Sequence, residues 1–279
     1  MLMCNRPGQA GSAMLLLLVG LASLVMAVSV GLLRGEDQAR TNRADVDRSA
    51  YLRDAAARLA RWYEVNSATT GAQAGQIDMG QALAGAGVTP RYNLQSASSV
   101  RLSDGLVSWH VMALWLPEPI RVQGTAFDVA TGVLTPGTLI STGQPADLVS
   151  AIVNGHASQL VAFTESSRRV RRVAARLENL FAARRSMDPF GPAGRDWFRA
   201  LDCAAVQTGE LPCYDVYTDM AATTAPAQAG IEATLTVNAW GLPINLSNLQ
   251  DSSVVPPYSM AVNTTTPWGG VVGAVAQEP

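Results

Sequence analysis

The longest uncharged apolar run of the chain lies near its beginning, at residues 14–33. Its twenty residues, MLLLLVGLASLVMAVSVGLL, contain no charged side chain. At a rise of about 1.5 Å per residue, a helix of this length spans the roughly 30 Å hydrocarbon core of a bilayer. Arg6 precedes the run without a nearby acid, whereas acids and arginines are mixed between Arg34 and Arg48. This charge asymmetry predicts a transmembrane helix with the rest of the chain outside the cytoplasm.

The helical pattern continues beyond the apolar run. Apolar residues recur at three- and four-residue spacing at Leu52, Ala55, Ala56, Leu59, Trp62 and Tyr63. Because no proline interrupts residues 12–66, the pattern predicts one helix of about 80 Å with an amphipathic second half. A cleaved secretory signal, with small residues near Ala27 or Ser29 as the cleavage site, is the alternative interpretation of the N-terminal run.

The next region, residues 67–144, is rich in Gly, Thr, Val and Ser. Ile77, Leu83 and Val88 indicate a short helix before Pro90. Short apolar runs separated by Pro and Gly then predict strands of an antiparallel meander at residues 107–116, 120–122 and 126–129.

Residues 145–187 are predicted to be helical. Apolar residues recur with helical spacing from Val170 to Phe181, and the opposite face carries arginines at positions 168, 169, 171, 172 and 176. A contact with anionic lipid or nucleic acid is the functional interpretation of this face, and solvation of an ordinary helix surface is the simpler one, which we favour.

The C-terminal part is marked by three turns that place an aromatic residue before glycine. They lie at residues 188–191, 238–241 and 266–270, and strands are predicted at residues 233–237, 244–246 and 258–262. A helix followed by strands thus occurs twice along the chain. This order predicts a second small α+β domain after about residue 145.

Composition and charge exclude several classes of function. The chain is 48% hydrophobic and 15% charged with a formal net charge of -2, which predicts a folded body and gives no reason to expect a nucleic acid partner. The sequence contains no lysine, so lysine-dependent mechanisms are excluded.

Cys203 and Cys213 flank a loop that contains Gly and Pro, which suits a disulfide in an oxidising compartment. Two free buried thiols are the alternative. A zinc site would need further ligands, and the only histidines, His110 and His156, are isolated in sequence.

Catalytic signatures are missing from the sequence. It has no phosphate-binding loop with lysine, no HExxH and no GxSxG motif, and His110 and His156 are interpreted as structural. Asp188, Asp196 and Asp202 lie near one another but match no calcium-loop spacing. We therefore expect no enzyme activity, no cofactor and no metal.

The N-terminal 66 residues resemble the type IV pilin superfamily. A short Arg-containing leader ends in Gly11, a small residue and the apolar run follow, and a long amphipathic helix comes next. The resemblance implies cleavage by a prepilin peptidase between Gly11 and Ser12, with Gly8 and Gln9 as the alternative junction. Two features depart from the family pattern: the mature chain would not begin with Phe, and Leu16 replaces the usual acid at its fifth position. In this family, loss of that acid is found in minor subunits at filament tips.

Together these observations predict an α+β protein in which a long N-terminal helix, transmembrane in its first half, packs on an antiparallel β-sheet head. The expected divisions are a leader (1–11), the pilin-like helix (12–66), a β-rich head domain (67–144) and a second α+β domain with helix 168–186 and the disulfide loop (145–279).

The resemblance implies a minor pilin or pseudopilin at or near the tip of a type IV pilus or a type II secretion-like filament. Its partners would be other subunits through the N-terminal helix, the inner-membrane assembly platform and the prepilin peptidase. The implied localisation is the bacterial inner membrane, single-pass, with the body in the periplasm or on a filament. A secreted or anchored adhesin-like binding module is the alternative.

Overall fold

The structure, a computed structural model, describes residues 44–117, 122–144, 148–187, 231–248 and 258–279. The chain divides into two units, residues 1–54 and 55–279. The helices are α1 over residues 44–65, α2 (Ser67–Ala72), α3 (Met79–Gly85) and α4 (His156–Met187), with a 3-10 helix at Ala233–Leu235. The strands are β1 (Gln95–Ser98), β2 (Leu102–Ser103), β3 (Ser108–Trp109), β4 (Val111–Trp115), β5 (Val122–Gln123), β6 (Ala126–Asp128), β7 (Val133–Thr135), β8 (Thr138–Leu139), β9 (Ser150–Asn154), β10 (Ile244–Asn248), β11 (Ser259–Thr265) and β12 (Val271–Gln277).

Helix α1 is amphipathic, as its spacing predicts. Leu52, Ala55, Leu59 and Tyr63 are each at most 1% exposed. The charged residues of the same helix are exposed or half-buried, and they include Asp45, Arg53, Arg58, Arg61 and Glu64. The predicted helical pattern up to about residue 66 is therefore confirmed over residues 44–65.

The predicted transmembrane helix has no counterpart among the described helices. Among the described residues, no helix has both the length and the apolar character needed to cross a membrane. Helices α2 and α3 are too short, with six and seven residues, and α1 and α4 are too polar, since α1 alone carries eight charged residues within residues 44–65. The predicted fold class, with a helix that is transmembrane in its first half, is thus wrong, and so is the predicted single-pass inner-membrane localisation. Residues 14–33, which suggested both, lie outside the described residues.

The described residues of unit 55–279 contain two three-stranded antiparallel sheets, so the described chain is broadly α+β. The first has the order β1-β4-β9, with Ala113 of the central strand opposite Ala97 on one side and Ile152 on the other. Four consecutive residues of β4, Val111 to Leu114, are buried, which means that both faces of this strand are covered, since successive side chains point to opposite faces of a sheet.

The second sheet has the order β10-β11-β12 and is covered on one face by α4. Val170, Val173, Leu177 and Phe181 are fully buried on this helix. They pack in one core with sheet residues that include Met260, Val262, Val272 and Ala276. The predicted amphipathic face of α4 is therefore confirmed.

Two predicted elements are wrong. Residues 150–154 form strand β9 instead of the start of a helix, because they pair along their whole length with β4. Residues 233–235 form a 3-10 turn instead of a strand, closed by the Thr236 hydroxyl, which donates to Ala233 O at 2.7 Å. The proposed boundary at residue 144 stays a prediction.

Candidate functional site

The residues predicted to carry processing and cross-linking lie outside the described residues. They are Gly11, Ser12, Cys203 and Cys213, and the same holds for Asp188, Asp196 and Asp202. Within the described ranges, no group of three or more His, Cys, Asp or Glu side chains is placed to hold a metal ion. The cleavage site and the disulfide stay predictions.

His110 lies between β3 and β4 and is completely buried. Its Nε2 lies 3.0 Å from Gly75 O, and its backbone N–H donates to the Tyr63 hydroxyl at 3.2 Å. Because a carbonyl oxygen only accepts, Nε2 carries the proton, and burial lowers the pKa of the ring. His110 is therefore a core residue, as its structural interpretation predicts, although its buried Nδ1 has no hydrogen-bond partner in the described part of the chain.

His156, the first residue of α4, is held in a polar contact that sequence inspection missed. Its Nε2 lies 2.9 Å from Asp104 Oδ2, and the Trp109 ring meets the His156 ring edge-on at a centroid distance of 4.5 Å. Asp104 Oδ1 also accepts from the backbone N–H groups of Leu106 and Val107, each at 2.9 Å. The Val107 bond, followed by the His156 and Leu106 bonds, lowers the pKa of Asp104 to about 2. The two backbone bonds stabilise the turn at residues 104–107, and the Asp104–His156 bond connects this turn to the first turn of α4.

An open groove of about 540 Å³ lies between this turn and the exposed face of α4. We call it the α4 groove. Nine residues line it: Leu106, Leu160, Phe163, Thr164, Ser167, Arg168, Arg171, Arg172 and Ala175. The groove combines an apolar surface with three guanidinium groups on a single helix.

The arginines of the α4 groove differ in their partners. Arg168 pairs with Glu165 at 2.7 Å, and Arg169, beside the groove, binds the other oxygen of Glu165 at 3.2 Å. The Arg169 hydrogen bond is the main cause that lowers the pKa of Glu165. Arg171 and Arg172 are exposed and form no ion pair with any residue in the described part of the chain.

A second polar cluster joins α4 to the turn that contains Asn238. The Asn238 side chain accepts from Trp240 N and Leu242 N and donates to Thr264 Oγ1 and Thr265 O, all at 2.9 Å. The Trp240 indole donates to Gln159 Oε1, and Gln159 Nε2 donates to Ser67 O, both at 2.9 Å. Because every one of these amide groups is used within the fold, this cluster is structural.

No protein-family model, curated protein or solved structure matches the chain. The resemblance of residues 1–66 to pilins therefore stays a prediction. The α4 groove is the described cavity that we take as the candidate ligand site. Sequence inspection found its arginines, but missed Leu106 and the Asp104–His156 contact, for which the only local signal is the turn-forming Asp104-Gly105 pair.

Proposed function

We propose that this chain is a structural minor subunit of a filament of the type IV pilus or type II secretion kind. The observation that carries the proposal is α1, an amphipathic helix that reaches residue 65 with one buried face and precedes a larger α+β body. This order of helix and body fits the N-terminal pattern of leader, apolar run and amphipathic helix. In the described residues, buried polar side chains such as Asn238 and Gln159 serve the fold through hydrogen bonds.

Other subunits of the same filament are the proposed partners, and the prepilin peptidase is the proposed processing enzyme. Two apolar side chains of α1, Val46 near its beginning and Val65 at its end, are 63% and 79% exposed and are available for a contact with subunits. Apolar side chains left so accessible gain most from burial when a partner is present.

We further propose that the subunit is scarce and lies at or near a filament end. More than two hundred residues follow residue 66, and a body of this size is difficult to place at every position of a thin filament. Leu16, at the fifth position after the proposed cleavage site, supports the same assignment, because it cannot neutralise the terminal amine of a neighbour.

Two measurements test this function. Mass spectrometry of the mature protein should give an N-terminus at Ser12, whereas a terminus near Val28 or Val30 would indicate a cleaved secretory signal and contradict the proposal. Immunogold labelling of sheared filaments should mark their ends. Label along the whole shaft would refute the end position, and absence of label from all filaments would refute the subunit assignment.

A further inference from the structure

We propose that the α4 groove binds a peptide segment of a partner protein, in which an apolar side chain is flanked by carboxylates. The inference does not depend on assembly into a filament, because it rests only on residues that line the groove.

The first observation is the apolar surface left accessible in the groove. Leu106 is 51% exposed and Leu160 is 36% exposed, and the partly buried Phe163 lies beside them. Large apolar side chains grouped in a concavity are typical of binding sites, and a volume of about 540 Å³ can hold a few side chains. An apolar side chain of a ligand would remove this surface from water.

The second observation is the positive charge of two arginines that form no ion pair at the same place. Both oxygens of Glu165 are already bound by Arg168 and Arg169. Arg171 and Arg172 have no ion-pair partner among the residues that the structure describes. A guanidinium binds a carboxylate through two parallel hydrogen bonds, so these two arginines select acidic groups next to the apolar side chain.

The third observation is the shape, which distinguishes a peptide from other anionic partners. The groove is concave, whereas a bilayer surface offers no protruding group to fill it. Single-stranded nucleic acid needs stacking platforms along a basic track, and Phe163 is the only aromatic residue among the described residues that line the groove. The turn at residues 104–107 is fastened to α4 by Asp104 and His156, so the groove is preorganised for a side chain.

The probe for the test is a short fluorescein-labelled peptide of sequence Glu-Leu-Asp-Phe-Glu-Leu, with its Gln/Asn counterpart as the neutral control. Fluorescence anisotropy with the full chain should give saturable binding with a Kd below about 1 mM. The double variant Arg171→Glu/Arg172→Glu should weaken binding at least about tenfold, and Leu106→Ser at least about threefold. Arg176→Glu, a single charge reversal on the same helix outside the groove, should change the Kd less than about twofold.

Several results would overturn the inference. They are no saturable binding of the acidic peptide, equal binding of the neutral peptide, or equal weakening by Arg176→Glu. Tighter binding of phosphatidylglycerol vesicles or of single-stranded DNA, lost in the same double variant, would assign the groove to a membrane or a nucleic acid instead. If circular dichroism shows that the charge reversal unfolds the chain, the variant Arg171→Gln/Arg172→Gln replaces it. We then expect the binding of the acidic peptide to weaken at least about threefold. The peptide-binding assays do not depend on the mature N-terminus. A negative binding result would therefore leave the filament proposal to be decided by N-terminal mass spectrometry and immunogold labelling.

Discussion

Gly155 should be among the positions of the chain least tolerant of substitution. It lies between β9 and α4, and its N–H donates to His110 O at 3.0 Å. A Cβ added at this position would lie 2.3 Å from two ring carbons of Tyr63 and 2.5 Å from its hydroxyl. Carbon atoms in contact are normally about 3.5–4.0 Å apart, so Gly155→Ala forces the backbone or the ring to move by more than an ångström.

The ring has little freedom to move. Tyr63 is 1% exposed, and its hydroxyl accepts from the backbone N–H of His110. A shift of the ring would break that bond and leave the buried N–H of His110 unsatisfied, which costs about 1–3 kcal/mol. The overpacking caused by the added methyl group costs about 1–3 kcal/mol more. We therefore expect Gly155→Ala to lower the free energy of unfolding by about 3 kcal/mol. With an m-value of about 2 kcal/mol/M, the urea midpoint falls by about 1.5 M.

Urea unfolding of the full chain, followed by circular dichroism, measures this change. The matched control is Gly75→Ala, because an added Cβ at Gly75 meets no atom within 4 Å, and its effect should stay within about 1 kcal/mol. In a Tyr63→Leu background the additional cost of Gly155→Ala should fall by about 1–2 kcal/mol, since the ring is gone. A Gly155→Ala protein within about 0.5 kcal/mol of the parent would refute the reasoning.

Three further predictions concern other parts of the chain. Asn238→Ala removes four hydrogen bonds in a buried turn and should lower the free energy of unfolding by at least about 2 kcal/mol in the same urea assay, and a loss below about 0.5 kcal/mol would contradict this. Asp104, bound by Val107 N–H, has a pKa lowered from 3.8 to about 2, so its contribution to stability is complete above the unfolded value and is lost as pH falls toward about 2. Urea midpoints across this range should fall less steeply in Asp104→Asn than in the parent, and parallel profiles would count against the Asp104 contacts. Cys203 and Cys213 should resist alkylation without reductant, because a disulfide across about ten residues stabilises by roughly 2–4 kcal/mol, whereas full labelling of the folded protein would show free thiols.

Long helices could be predicted from the sequence because their signal is local and repeated. Apolar residues at three- and four-residue spacing indicated both α1 and the core-facing side of α4, and the structure buries Leu59 and Leu177 as this spacing requires. Short strands have no such repetition. Strand β12, at Val271–Gln277, contains Gly273 and two alanines, and it is a strand because β11 pairs with it along its whole length.

The candidate site was likewise predictable from the sequence only in part. The arginines of α4 and their shared helix face follow from the order of residues alone, since neighbours at three- and four-residue spacing lie on one side of a helix. Only the tertiary structure decided that Leu106 faces them, that Asp104 binds His156, and that Trp240 donates to Gln159. The Asp104–His156 and Trp240–Gln159 pairs are separated by 52 and 81 residues along the chain. Contacts at such separations are set by how α4 packs against the β2–β3 turn and the second sheet, and no local pattern records that packing.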